Sequence, residues 1–246
     1  MIQIFFTQLS KRISAASVQR WWVCLSGLLK YAVEEGIIDG FDKPKLPKIY
    51  KGTQQWLTLN QMRNLIEKSD GWVRAMIMLL SETGCRIGEA LGLQTADLDT
   101  ETKTLSINRT MFDGRPNSPK TQSSYRSIAI SDELCYALDS FRNRAKQDEY
   151  IFRSQLNNPR KAGEIIKKFN AFYDKLGMQH VGFHAYRRGN ITHLVMNLEI
   201  PESVVGQRVG HLSSGMTLGV YVQRIEGLDR KWVPIIAESL YGKKEQ

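Results

Sequence analysis

The sequence has only three cysteines in 246 residues, Cys24, Cys85 and Cys135, and they lie far apart. An odd number of separated cysteines without a C-x-x-C pair argues against a disulfide framework and against a cysteine-rich metal site. No apolar run approaches the ~20 residues needed to span a bilayer. The N-terminal stretch 1–14 lacks the small-residue cleavage site of a signal peptide. We therefore expect a soluble cytoplasmic protein.

Acidic residues are fewer than basic ones, with 25 Asp and Glu against 34 Lys and Arg, which gives a net charge of +9. This balance favours a polyanionic partner, and nucleic acid before a membrane surface, because clustered positive charge releases counterions from phosphates. The 42% hydrophobic and 24% charged residues are typical of a globular protein that buries a core.

The chain divides into three parts without internal repeats or low-complexity segments. Apolar residues at helical spacing predict a helix over 14–37, within a first helical unit of residues 1–41. Residues 42–55 contain two prolines and are predicted to be an extended basic linker. This linker is either a solvated surface loop or an extended segment that lies along a DNA backbone. Its basic residues are Lys43, Lys45, Lys48 and Lys51.

Residues 56–246 form the predicted larger domain. Thr58 and Gln61 have the spacing of a capping box before a helix to about residue 69, and a second helix is expected from Gly71 to Thr83. Alternating residues predict strands at 104–108 and 126–130, with Asp113-Gly114 as a hairpin signal. From residue 132 the pattern is helical, at 132–145, 160–176, 185–197, 201–209, 214–223 and 229–241. The fold class is therefore mainly α with a small antiparallel β-sheet.

Four short stretches of this domain occur in a fixed order. They are Thr83-Gly-Cys-Arg86-Ile-Gly-Glu89 with its following leucines, Pro119-Lys120-Thr, His184-Ala-Tyr-Arg187, and Gly210-His211 followed ten residues later by Tyr221. Together they cover about residues 57–223 and resemble the catalytic domain of the tyrosine recombinase, or phage integrase, family. The chain departs from that family in having Ala185-Tyr186 after the first histidine and a short segment before the linker.

The resemblance implies a role for each of these residues. Arg86 and Arg187 would clamp the scissile phosphate, Lys120 would protonate the leaving 5′ oxygen, and His211 would hydrogen-bond the phosphate. His184 would be a proton acceptor or phosphate ligand, and Tyr221 would attack phosphorus.

The inventory of residue types agrees with such chemistry. Metal-dependent nucleases use clusters of carboxylates, whereas these stretches carry two Arg, one Lys, two His and one Tyr, with Glu89 as the acidic member. Arginines supply fixed bidentate charge where a metal would otherwise lie, which predicts phosphoryl transfer without metal or cofactor.

Two further residues remain open. Glu89 lies one helical turn after Arg86 and either orients Arg86 or a neighbouring histidine, or is a plain surface residue. Arg126 lies in the hairpin region together with Lys120 and is predicted to contact DNA.

The predicted function is site-specific recombination of double-stranded DNA by a bacterial or phage-encoded enzyme. The resemblance implies a homo-tetramer on DNA, a monomer or weak oligomer without it, and accessory DNA-bending proteins as further partners. Alternatives are a DNA-binding remnant or regulator, and a nicking-closing enzyme similar to type IB topoisomerases. The apolar stripe of the C-terminal helix either docks into a neighbouring protomer or packs within its own chain.

Overall fold

The computed structural model describes residues 1–49, 55–112, 114–117, 125–142, 149–154, 158–210 and 229–242. The chain forms two units, Met1–Gln54 and Gln55–Gln246. Among the described residues, no helix combines the length and apolar character needed to cross a membrane.

The first unit contains two helices, α1 (Ile2–Leu9) and α2 (Ala15–Glu34). The Ser14 hydroxyl accepts a hydrogen bond from the Ser17 amide and begins α2, as expected of an N-cap. The small core of this unit consists of Phe6, Val18 and Trp22, against which Phe41 and Leu46 pack.

Part of the predicted linker thus belongs to the first unit. The Lys45 amide donates to Gln3 Oε1 at 2.7 Å, and Gln19 Nε2 donates to the Pro47 carbonyl at 2.9 Å. These hydrogen bonds hold residues 45–47 in extended form along α1 and α2.

The second unit begins with two helices, α3 (Leu59–Lys68) and α4 (Gly71–Thr83). The predicted capping box is present, because the Thr58 amide donates to Gln61 Oε1 and the Gln61 amide donates to Thr58 Oγ1. Helix α4 is buried along most of its length and ends at Gly84, whose φ of +62° places it in the left-handed region. A short helix α5 (Ile87–Gly92) follows directly.

The strands form two small antiparallel sheets. Strands β1 (Leu98–Asp99), β2 (Thr104–Ile107) and β5 (Arg126–Ala129) form one sheet in the order β1-β2-β5. Strands β3 (Thr110–Phe112) and β4 (Arg115–Asn117) form the other. The expected pairing of β2 with β5 is confirmed, with Leu105 opposite Ile128.

The Asp113-Gly114 signal has a different place from the one expected. Gly114 lies between β3 and β4, so this turn connects a separate hairpin and does not connect β2 with β5. Asp113 itself lies outside the described residues.

The remaining helices are α6 (Asp132–Arg142), α7 (Ala162–Lys175), α8 (His184–Thr192), α9 (Glu202–Val209) and α10 (Val233–Tyr241). One π-helical turn, His193–Asn197, follows α8. The predicted mainly α-helical fold with a small antiparallel sheet is confirmed. The predicted helix 214–223 lies outside the described residues.

The C-terminal helix packs within its own chain. Ile236 and Leu240 of α10 are buried in a cluster with residues of α9 and of the π-helical turn, and Trp232 packs at its edge. The sequence left open whether this helix docks into a neighbouring protomer or packs within its own chain. In the described structure it packs within its own chain.

Candidate active site

Arg86 lies at the N-terminal end of α5, immediately after the turn that ends α4. Its backbone is extended, and its amide donates to Glu89 Oε2 at 2.8 Å, which completes the first turn of α5. Its side chain is 41% exposed, with Nη1 2.9 Å from Glu89 Oε1. One carboxylate therefore fixes both the backbone and the guanidinium of Arg86, and the rest of the guanidinium remains accessible.

Arg187 is presented by α8 and is only 4% exposed. Its Nη1 donates to the Gly84 carbonyl at 2.7 Å, so the turn between α4 and α5 also orients this second arginine. Its buried Nη2 has no hydrogen-bond partner among the described residues. Burial first, and then the charge of Arg86, lower the pKa of Arg187 to about 10, at which the group is still cationic at neutral pH.

The contacts of α8 explain why it holds this position. Asn190 Nδ2 donates to the carbonyls of Ser81 and Glu82 at the end of α4, at 2.7 and 3.1 Å. A Cβ on Gly189 would lie 2.2 Å from the Leu57 carbonyl oxygen, so only glycine allows this approach. Hydrogen bonds from side chains of α8 to backbone carbonyls therefore join the stretches Thr83–Arg86 and His184–Arg187, which are 98 or more residues apart in sequence.

His184 is the first residue of α8 and its side chain is exposed. Partial desolvation, followed by the charges of Arg188, Arg187 and Arg86, lowers its pKa below the usual 6.5. The imidazole is therefore neutral at pH 7 and has a nitrogen lone pair able to accept a proton. Arg188 points elsewhere, with Nη1 3.3 Å from the Gln55 carbonyl.

Arg86, His184 and Arg187 line one cleft of about 570 Å³. The other wall consists of strand β3 and the start of α7. Its residues are Thr110, Met111, Phe112, Lys161, Ala162 and Gly163. Three basic side chains, two of them forked donors, thus converge on a space in which a phosphate group fits by charge and hydrogen-bonding geometry.

Glu89 is buried and links the cleft to strand β5. Its Oε2 lies 2.8 Å from Arg126 Nη2, in addition to its contacts with Arg86. Burial alone would raise the pKa of Glu89, but the hydrogen bond and charge of Arg126, then those of Arg86, outweigh it and lower the pKa. The carboxylate is therefore ionised and balances two arginines.

The structure corrects the expected role of Arg126. Its side chain is only 3% exposed, bonds to Glu89 and donates from Nε to the Arg208 carbonyl at 2.8 Å. A guanidinium buried in this way cannot reach a DNA phosphate without leaving both partners, so Arg126 does not fit a direct DNA contact.

The other residues singled out by the sequence are placed only in part. Lys43, Lys45 and Lys48 have exposed side chains in the first unit. Lys51, Lys120, His211 and Tyr221 lie outside the described residues. Lys120 lies in the sequence between β4 and β5, and the stretch with His211 and Tyr221 lies between α9 and residue 229.

Sequence reasoning missed several residues that surround this site. Lys161 lines the cleft at the start of α7. The sequence predicted that Lys161 lies in the first turn of a helix. The cleft wall to which it belongs, however, is formed by residues that are distant in the sequence. Arg208 and Glu82 form a buried ion pair behind the cleft, and no sequence motif marks them.

Comparisons with known proteins show which proteins this chain resembles. The integrase of Staphylococcus phage L54a is 27% identical over an alignment of 271 positions, which covers 94% of this chain and 76% of that protein. The XerC-like tyrosine recombinase of Caldanaerobacter subterraneus subsp. tengcongensis is 28% identical over 180 residues, covering 62% of this chain and 46% of that protein.

A solved structure has the same fold. The Tn1549 transposon integrase, in complex with transposon right end DNA, superposes with a TM-score of 0.67 at 21% identity, over 94% of this chain and 82% of that one. The family model for phage integrases matches residues 55–226, most of the second unit. The chain therefore belongs to the phage integrase family of tyrosine recombinases, which are DNA strand-transferring enzymes.

Proposed function

We propose that this chain is a site-specific DNA recombinase that cleaves and rejoins strands through a 3′-phosphotyrosine at Tyr221, without metal or ATP. The observation that carries the proposal is the cleft in which Arg86, His184 and Arg187 converge, with the buried Arg187 Nη2 lacking a hydrogen-bond partner among the described residues. A buried guanidinium nitrogen without a protein acceptor is a costly feature unless a ligand supplies the acceptor. A non-bridging phosphate oxygen is such an acceptor.

In the proposed reaction, the Tyr221 oxygen attacks phosphorus and forms a P–O bond as the P–O5′ bond breaks. The phenolic proton passes to a base, for which neutral His184 is the candidate in the cleft. The leaving 5′ oxygen takes a proton from Lys120. Arg86 and Arg187 stabilise the charge that develops on the non-bridging oxygens. The phosphotyrosine ester preserves the energy of the bond, so a second 5′-OH can displace Tyr221 without ATP.

The proposal includes the partners of the reaction. The substrate is double-stranded DNA carrying a recombination site, and strand exchange takes place in a homo-tetramer that assembles on paired sites from monomers or weak oligomers. The lysines of residues 42–55 would contact the DNA backbone, and DNA-bending proteins would assist the pairing of the sites. The reaction requires access to chromosomal DNA, so we place it in the cytoplasm.

A suicide-substrate assay tests the proposal. Nicked duplexes tiling the DNA that flanks the gene are incubated with the protein in excess EDTA, and the products are separated in SDS. A covalent adduct is expected with the wild type, and mass spectrometry should locate it in the tryptic peptide 209–224, which contains Tyr221.

Two tyrosine variants test whether Tyr221 forms the adduct. Tyr221→Phe removes the nucleophile and should give no adduct. Tyr136→Phe is the control, because Tyr136 is 80% exposed on α6 and away from the cleft, and it should react as the wild type does. If no wild-type adduct forms on any duplex while the protein still binds DNA, the protein is a DNA-binding regulator and the enzymatic proposal is wrong.

A further inference from the structure

A buried ion pair joins Arg208 and Asp229, which lie on either side of residues 211–228, the stretch that contains His211 and Tyr221. Arg208, near the end of α9, places Nη1 2.5 Å from Asp229 Oδ2. The two side chains are 1% and 13% exposed. Because this stretch is covalently attached at both ends, the pair determines where the chain leaves α9 and where it returns.

The same pair is attached to strand β5. Arg208 Nη1 donates to the Ala129 carbonyl at 2.8 Å, and the Ala129 amide donates to Asp229 Oδ2 at 3.1 Å. Strand β5 is the last strand of the order β1-β2-β5. The pair therefore satisfies the polar backbone of Ala129 on an edge where no further described strand pairs with β5.

Glu82 completes the cluster from the end of α4. Its Oε1 lies 3.8 Å from Arg208 Nη2 and accepts the Ser131 amide at 2.7 Å. Its Oε2 accepts the hydroxyls of Ser131 and Tyr241, each at 2.6 Å. We call Glu82, Arg208 and Asp229 the buried clasp. It joins α4, β5, α9 and the start of the C-terminal segment, and its one arginine lies between two carboxylates.

The buried clasp is connected to the phosphate cleft. Arg126 on β5 donates to the Arg208 carbonyl and to Glu89, which in turn holds Arg86. Gly210, the residue before His211, lies against the same guanidinium, since a Cβ there would be 2.9 Å from Arg126 Nη1. A continuous series of contacts thus runs from Arg86 to Asp229.

We propose that Arg208 and Asp229 are positioning residues that hold both ends of the stretch carrying Tyr221 at a fixed place beside the cleft. This inference rests on the proposed function, in which Tyr221 attacks the phosphate bound by Arg86 and Arg187. In-line attack depends on the position of the nucleophile to within about 1 Å, and a misplacement of that size lowers rates by roughly 100-fold. The buried clasp acts through the position of Tyr221 and does not touch DNA.

The test compares Asp229→Asn with the wild type in the full chain. The variant keeps the shape of the side chain and removes the charge that faces Arg208. We expect single-turnover adduct formation on the nicked duplex to fall by roughly 10- to 100-fold, while DNA affinity stays within about twofold of the wild type because no phosphate contact is lost. Hydrogen exchange should become faster in residues 211–228 and stay unchanged in α3 and α6.

Three further variants separate positioning from general stability. Asp132→Asn removes an exposed aspartate from its ion pair with Lys103 and should change neither the adduct rate nor the exchange. Ile66→Val weakens the α3 core away from the buried clasp and should leave the adduct rate unchanged where the protein is folded. Arg208→Lys keeps the charge but loses the forked geometry of the guanidinium. Its adduct rate should therefore lie between those of Asp229→Asn and the wild type.

The outcomes are distinguishable. The positioning role is wrong if Asp229→Asn forms the adduct and exchanges its amide hydrogens at the wild-type rates. It is also wrong if hydrogen exchange in this variant becomes faster throughout the second unit. If the wild type forms no adduct but Asp229→Asn accelerates exchange only in residues 211–228, the buried clasp holds the stretch and the proposed function fails. If Asp229→Asn does not fold, Arg208→Lys carries the test, and a wild-type adduct rate in it overturns the proposal.

Discussion

The Glu89 carboxylate joins two arginines from different parts of the second unit. Its Oε1 lies 2.9 Å from Arg86 Nη1 at the cleft, and its Oε2 lies 2.8 Å from Arg126 Nη2 inside the protein. One arginine is half exposed and the other is buried. The buried pair fixes the carboxylate, and the carboxylate in turn fixes the arginine that faces the cleft.

Replacing Glu89 by alanine should therefore destabilise the protein. Arg126 would remain buried without its counter-charge, a change that costs about 3–5 kcal/mol for buried pairs. Urea unfolding measures this loss, and Glu89→Gln, which keeps the shape and some hydrogen bonds, should lose less. The pKa of Glu89 is lowered from its ordinary 4.5, so its stabilisation is present above about that pH and lost as the pH falls through the lowered value. Equal stability of wild type and Glu89→Ala would contradict this account.

Arg187→Lys should lower adduct formation without a comparable loss of DNA binding. Lysine keeps the charge, but it cannot donate to the Gly84 carbonyl and to a phosphate in the planar geometry of a guanidinium. Removing a preorganised donor of this kind lowers rates by roughly 100- to 1,000-fold. Single-turnover cleavage gives the rate and a gel-shift assay gives the affinity. Arg188→Lys is the matched control, since Arg188 points to the Gln55 carbonyl and should react as the wild type does.

The rate of cleavage should depend on the protonation of His184. Desolvation and three neighbouring arginines lower its pKa below 6.5, so the neutral form prevails at pH 7. If His184 accepts the tyrosine proton, the second-order rate constant for adduct formation rises with pH and levels off as the neutral imidazole comes to prevail. It declines at lower pH with an apparent pKa below 6.5, because that constant reports the free enzyme. His184→Gln should be slower and lack this decline; a decline that persists in the variant would assign it to another group.

Gly210→Ala should destabilise the protein for two reasons that a control can separate. Gly210 has a φ of +70°, and a Cβ would lie 2.9 Å from Arg126 Nη1. The strained backbone costs about 1 kcal/mol, and displacement of Arg126 adds to that cost. Gly177 has a φ of +61°, and a Cβ there would meet nothing within 4 Å, so Gly177→Ala carries the backbone strain alone. Thermal unfolding should show the larger loss in Gly210→Ala, and equal losses would remove Arg126 from the explanation.

The exposed lysines of the first unit should contribute to DNA affinity through phosphate contacts. Each phosphate contact contributes about 0.9 to the slope of log K against log salt concentration. Replacing Lys43, Lys45 and Lys48 by glutamine should therefore reduce the slope by up to about 2.7, uniformly across DNA sequences. Fluorescence anisotropy at several salt concentrations measures it. Lys103→Gln, which removes a lysine paired with Asp132, should leave the slope unchanged.

The sequence by itself determined most of the helices and the residue types of the site. Apolar spacing and the Thr58–Gln61 capping box predicted α3 within one residue, because capping depends on local hydrogen bonds. The alternation of apolar and polar residues predicted strands β2 and β5. The stretches Thr83–Arg86 and His184–Arg187 marked Arg86 and Arg187 as candidate phosphate ligands, because an arginine offers a forked, charged donor. The structure places both on one cleft.

Only the tertiary structure decided how these residues are held. The burial of Arg126 against Glu89 reversed its expected role, because burial depends on which distant helices cover a strand edge and not on local sequence. Lys161 lines the cleft for the same reason, since its place there depends on the packing of α7 against distant residues. Arg208 and Asp229 meet across 21 residues of chain, and no local rule pairs them. Local propensity determines which segments form helices and strands. The partners of a buried charge depend instead on long-range packing, which cannot be derived from a single sequence.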